Sequence, residues 1–170
     1  SCSFISDTSS SRTSLSLLEL DAVADLAEQE RLELEQLLLQ ENLLIPFEEI
    51  SDLQPIGEGS FSHVFRGEYK GVRVAVKRLK PRHHVHRYAL AECLCLLLTR
   101  PNPHTIDLVG ACVSPPCIVT PFMEQGSLYE IIHKQKVPIP LIRAVDIARK
   151  VAQGLALMHA MQPPLMHRAI

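Results

Sequence analysis

The sequence predicts an α+β fold, an antiparallel sheet with helices packed against it, and three features carry that expectation. "HVFRGEY" and "VRVAVKRL" alternate apolar and polar residues on either side of Lys70-Gly71, with Val64, Val72, Val74 and Val76 at period two. "RYALAECLCLLL" and "LIRAVDIARKVAQGLALMHA" have helical spacing instead. Ahead of all of these, the stretch from Ser14 to about Gln40 reads as a long acidic amphipathic helix.

Each element has a local reason. In the first helix Leu20, Val23, Ala27, Leu34 and Leu37 share a heptad-like stripe that Glu30 and Glu41 interrupt. That stripe suits self-association through residues 14–40, or docking on the chain's own domain. The serines and threonines before it offer N-caps, and "TSSSRTS" reads as a disordered tail over 1–13. Lys70-Gly71 is a two-residue hairpin turn. In "GSLYE", Ser127 with Glu130 three residues on forms a capping box that starts a short helix. In the last helix Leu141, Val145, Ala148, Ala152 and Leu155 repeat on one face, and Gly154 invites close approach of a neighbour.

Composition narrows the class. With 170 residues, 46% of them hydrophobic, the chain can bury one core. No run is long and apolar enough for a membrane span, and the opening "SCSFISDTSSSRTS" lacks the order of a secretory signal. Five scattered cysteines without a Cys-x-x-Cys pair read as thiols in a reducing, cytoplasmic setting. Between Glu19 and Glu49 ten acids face Arg31 alone, whereas from Ile50 onward fifteen Lys and Arg face eight Asp and Glu. The basic excess is spread over many segments, which argues against a nucleic-acid partner and places a boundary near Pro46. The acidic helix with its linker then occupies 14–45 and the main domain 46–170.

Chemistry concentrates around "IGEGSFSHVF", Ile56 to Phe65. A strand, not a helix, follows its glycines, which excludes a dinucleotide-binding turn, and the Gly-x-x-x-x-Gly-Lys-Ser/Thr loop is absent too. Glycines bridging two antiparallel strands make a flap whose backbone can press on phosphates. Lys77 ends the strand "VAVK" on the inward side, where an ammonium needs an anion or carboxylate to meet it. The carboxylate expected to do so is Glu92, the only acid within the apolar helical run. His83, His84 and His86 form a cluster better read as a basic connector than as a metal site, with Arg78, Lys80, Arg82 and Arg87 available to a regulatory phosphate or an acidic partner.

Taken in register, Gly57-Glu58-Gly59-Ser60-Phe61, Val64, Val74-Ala75-Val76-Lys77 and Glu92 resemble the small lobe of a eukaryotic protein kinase. "IDLVGACVSPPCIVTPFMEQGSL" is similar to the fourth and fifth strands and hinge of the tyrosine-kinase-like serine/threonine group, and His167-Arg168 to the start of the catalytic loop. The resemblance spans about Phe47 to Ile170: a small lobe over about 47–123, a hinge at 121–126 and the start of a large lobe at 127–170. It implies a protein-kinase-like fold and transfer of the γ-phosphate of ATP, with Mg2+, to protein hydroxyls. It implies ATP contacts at Ile56, Gly57, Glu58, Gly59, Ser60, Phe61, Val64, Ala75 and Lys77, with Thr120 as gatekeeper and Pro121, Phe122 and Met123 as hinge. Lys77, Glu92, His167 and Arg168 would belong to the catalytic machinery. Pro121 removes one backbone donor from the hinge and leaves the Met123 N–H for the adenine edge.

Three departures qualify the resemblance. Ser62 stands at the third flap glycine, Ala169 stands where the aspartate that orients the substrate hydroxyl belongs, and the sequence ends at Ile170, before the magnesium-binding segment. Two expectations follow: a fragment of an active kinase, which the intact Gly57, Gly59, Lys77 and Glu92 favour, or a pseudokinase that keeps its nucleotide flap for regulation. Either way the 170-residue chain is expected to transfer no phosphate. A third expectation is a helical interaction protein acting through 14–40. In each case Leu155, Leu157 and Met158 are expected to remain partly exposed.

Overall fold

A computed structural model describes residues 17–167. Helix α1 (Leu17–Gln40) leads to a 3-10 turn (Phe47–Glu49), then β1 (Ile50–Glu58), β2 (Ser62–Tyr69) and β3 (Val72–Leu79). Helix α2 (Val85–Leu98), β4 (Gly110–Cys112), β5 (Cys117–Pro121), a π turn (Glu130–Lys134) and α3 (Leu141–Ala160) complete the order. The sheet runs β1-β2-β3-β5-β4, every named neighbour antiparallel.

The β2–β3 hairpin forms as the alternation predicts. Lys70 and Gly71 both take positive φ, 50° and 77°, which matches a primed two-residue turn and the twist of its strands. Val74 and Val76 are buried, whereas Val72, first after the turn, is exposed at the hairpin end.

The central strands bury side chains on both faces. Val74 and Val76 of β3 join Cys112, Cys117, Val119, Ile45 and Ile50 on one side. On the other, Leu79, Ile118 and Ala111 meet Ala89 and Cys93 of α2 and Leu34 and Leu38 of α1. Two glycines mark close approaches. A Cβ at Gly110 would lie 2.5 Å from the Leu43 carbonyl, and one at Gly154 2.8 Å from that of His104, as the sequence led us to expect for α3.

Helix α1 docks on its own domain, packing against α2. The expected start at Ser14 and its N-caps lie outside the described residues, as do the side chains of Leu20 and Val23. The stripe needs two corrections. Leu38, which the heptad reading left out, is fully buried beside Leu34, and Glu30, read as an interruption, is itself buried. Of the stripe residues, Leu34 is fully buried within the chain.

Cys93, Cys112 and Cys117 are buried and Cys95 half-buried, all as free thiols, while Cys2 lies outside the described residues. Burial pushes the Cys93 thiol up to about 12, and the neighbouring Glu92 charge adds to the effect. A hydrogen bond with Cys117, followed by burial, pushes the Cys112 thiol up as well.

Two outcomes test this packing. Leu34→Ala should lower stability to chemical denaturation by about 2–5 kcal/mol, against about 0.5 kcal/mol or less for the 57% exposed Leu39→Ala. Because the thiolate is the nucleophile, iodoacetamide near pH 8 should label Cys95 well before Cys93 in the native chain, as read by peptide mass spectrometry.

Candidate active site

The strand pairing sets Lys77 opposite Val64 of β2 and Ile118 of β5, so all three side chains share the sheet face that meets α2. Val76, one residue earlier, faces the opposite core. Ala89 and Cys93 fix the rotation of α2 by burying one side against the sheet, and Glu92 lies on the flank of that side. The result is a two-pronged ion pair: Lys77 Nζ donates to both Glu92 Oε1 and Oε2 at 2.7 Å. Each side chain remains 38% exposed, so the ammonium keeps a solvent-facing side.

The flap lies between β1 and β2. Ile56, Gly57 and Glu58 end β1; Gly59, Ser60 and Phe61 make the turn, closed by a Gly59 N–H bond to the Ser62 carbonyl at 2.8 Å. Neither Gly57 nor Gly59 takes positive φ, and a Cβ at either would meet nothing closer than 3.8 Å. Internal packing therefore does not account for glycine at these positions, and their bare backbone is open to a neighbouring group. Ser62 is buried and does not stand in for a flexible glycine.

The remaining flap side chains engage within the chain. Lys80 Nζ donates to Glu58 Oε1 at 2.6 Å, and this bond holds the Glu58 carboxyl below its ordinary range. The Arg82 guanidinium lies 4.2 Å from the Phe61 ring centroid, and Lys80 N–H bonds to the Phe61 carbonyl at 3.0 Å. Lys80 and Arg82, read from sequence as free for a phosphate or acidic partner, instead tie the flap tip to the β3–α2 connector. Alternation patterns see only neighbours within a strand, so these ties gave no signal.

Further along the same strands Ala75 pairs with Thr120, both half-buried, and Pro121 ends β5. Phe122 N–H reaches the Arg73 carbonyl at 3.4 Å, and the Met123 carbonyl accepts from Gly126, whose φ of 72° closes the turn. No backbone hydrogen bond of the described chain uses the Met123 N–H, and the Met123 side chain is exposed. The expected capping box is present: Glu130 N–H donates to Ser127 Oγ at 3.1 Å and Ser127 N–H to Glu130 Oε2 at 3.0 Å. The turn it opens has π rather than α geometry.

His84 Nδ1 donates to Glu30 Oε1 at 2.9 Å and His86 Nε2 to the Val113 carbonyl at 3.2 Å. Among the described residues no group of three or more His, Cys, Asp or Glu is placed to hold a metal ion. His167 lies exposed beyond α3, and Arg168 and Ala169 fall outside the described residues. Cavities of about 390 and 420 Å3 lie away from the flap, one between α1 and the β3–α2 connector and one between the hinge and the start of α3.

Comparison with known proteins agrees with this geometry. The family model for protein tyrosine and serine/threonine kinases matches residues 50–170. Dual specificity protein kinase pyk3 of Dictyostelium discoideum is 31% identical over 124 residues, 73% of this chain and 9% of that protein. The probable serine/threonine-protein kinase drkB of the same organism is 34% identical over 118 residues, 66% of this chain and 17% of that protein. The chain thus spans less than a fifth of the length of either relative. An antiparallel five-stranded sheet, a flap, a helix-borne glutamate meeting a strand-borne lysine and this family match converge on one assignment: the chain belongs to the protein tyrosine and serine/threonine kinase family.

Proposed function

We propose that this chain is the nucleotide-binding small lobe, with the start of the large lobe, of a serine/threonine protein kinase of the tyrosine-kinase-like group. The observation that carries the reading is the Lys77–Glu92 pair, which holds an ammonium half-open to solvent beneath a glycine-bearing flap. ATP would enter with its adenine edge on the unengaged Met123 N–H and its phosphates against Lys77 and the bare backbone of Gly57 and Gly59. Val64 and Ala75 would line the adenine, and Thr120 would limit the depth of the cleft. Glu92 steadies Lys77, so the ammonium does not have to be reoriented when phosphates arrive. Magnesium would arrive with the phosphates and neutralise their charge.

A second reading, a nucleotide-binding module without phosphotransfer, is favoured by one observation: Ala169 follows His167-Arg168. A methyl group can neither orient a hydroxyl nor accept its proton. Both readings give the same expectation for the 170-residue chain: nucleotide binding without transfer.

Lys77→Met should weaken binding of a fluorescent ATP analogue by about 10- to 100-fold, the loss expected for a charge-assisted contact. Equal affinity in wild type and variant would remove the nucleotide reading. Incubation with labelled ATP and a generic protein substrate should give background incorporation only; incorporation that disappears in Lys77→Met would show that the chain is competent after all.

A further inference from the structure

Helix α2 carries Glu92, yet its own N-terminus is weakly secured. Its N-cap, His84, is left-handed at φ 58°, makes no side-chain cap bond, and no acid occupies the first turn. A helix N-terminus gathers partial positive charge that a nearby anion stabilises. Here the anion comes from α1. Glu30 reaches His84 through Oε1 at 2.9 Å with its side chain only 7% exposed, and Glu30 Oε2 is buried without a hydrogen-bond partner.

A carboxylate held that deeply by one donor is costly, and helix packing alone does not call for it. Arg82, His83 and His86 line the same cavity, so the surroundings are basic enough to accept it. One and two turns further along α1, Leu34 and Leu38 close on Ala89 and Cys93. Cys93 adjoins Glu92 in the chain, so α1 grips α2 at its N-terminal end through charge and in its middle through packing, on the residues that set where Glu92 points.

We propose that α1 is an intramolecular clamp on α2, and that Glu30 is a positioning residue for the Lys77–Glu92 pair, acting through His84. The inference takes its functional meaning from the nucleotide reading above, but its physical content is tested without nucleotide. An ammonium held between two carboxylate oxygens is withheld from acylating reagents, so trace labelling with acetic anhydride, read residue by residue by mass spectrometry, reports the pair.

Glu30→Ala should raise Lys77 labelling about two- to fivefold, the scale set by a partly exposed ion pair. Lys80, paired with Glu58 on the flap, is the control and should not change. Glu92→Gln should also raise Lys77 labelling, and adding Glu30→Ala to it should raise it no further, because the route from Glu30 to Lys77 is already cut. Unchanged Lys77 labelling in Glu30→Ala, or additive rises in the double variant, overturns the clamp. If Lys80 rises together with Lys77, the variant has lost its fold, and Glu30→Met, which keeps about the side-chain volume but offers no acceptor oxygen to His84, decides by the same two criteria. Binding of the fluorescent ATP analogue to wild type is measured alongside. Its absence with the labelling pattern intact removes the nucleotide reading and leaves the clamp standing.

Discussion

Lys77 and Glu92 meet only if two independent placements agree, and most of the fold can be understood as what makes them agree. The strand must present residue 77, not 76, to the face that carries α2. A one-residue slip of β3 would send Lys77 into the core beside Cys112, Cys117 and Val119 and turn Val74 and Val76 toward the helix. The helix must also be rotated so that residue 92 flanks the sheet, which burial of Ala89 and Cys93 accomplishes. The ion pair itself, with both partners partly exposed, adds little to stability. Apolar burial supplies the energy, and the pair is a consequence of it.

The central sheet is unusual for a small antiparallel one in burying both faces of β3 and β5. One face needs α2 and α1, and the other is closed by the segment from Ile45 to Ile50 that leads from α1 into β1. Leu44 bridges to Ala111 and Ile45 N–H bonds to the Ala111 carbonyl at 2.9 Å, so this connector is stitched to the sheet edge along β4. Gly110 is glycine because the Leu43 carbonyl passes where its side chain would be. On either side of Pro46, where the composition shifts, Ile45 and Ile50 are both buried in this core. Helix α3 is held differently: Gly154 touches His104 closely, while Leu155, Leu157 and Met158 stay half-buried and Leu141 and Ile142 are exposed.

What could be read from the sequence was what local periodicity encodes. The β2–β3 hairpin, the capping box at Ser127 and the pairing of Lys77 with Glu92 each follow from a short pattern: alternation around Lys70-Gly71, a Ser three residues before a Glu, and one acid in an otherwise apolar helix. The Arg82–Phe61 contact and the Glu30–His84 pair join residues far apart in the chain, 54 positions for the latter, and no periodic pattern registers such pairs. Glu30 was misjudged for a specific reason. Heptad logic scores an acid on the seam as a defect, because it cannot see that a histidine in left-handed backbone will arrive to meet it. Leu38 was missed because α1 packs on a single helix over a face wider than a strict heptad seam.

The charge split across the chain has a physical reading once these contacts are known. Two acids of α1 are engaged on the helix's own surface: Arg31 gathers Glu28 and Glu35 at 2.7 and 3.0 Å. Such exposed pairs contribute tenths of a kcal/mol, so bulk attraction between an acidic helix and a basic lobe cannot explain the docking. Burial of Leu34 and Leu38, at roughly 1.5–3 kcal/mol each, can explain it. Yet leucines alone tolerate sliding and rotation, since a helix with several apolar residues presents more than one usable face. Glu30 removes that freedom: a buried carboxylate with one donor is tolerated in the register that brings His84 to it and penalised in every other. Strength on α1 thus comes from its leucines and orientation from its one buried acid, the same division of labour that places Glu92 against Lys77 one helix further in.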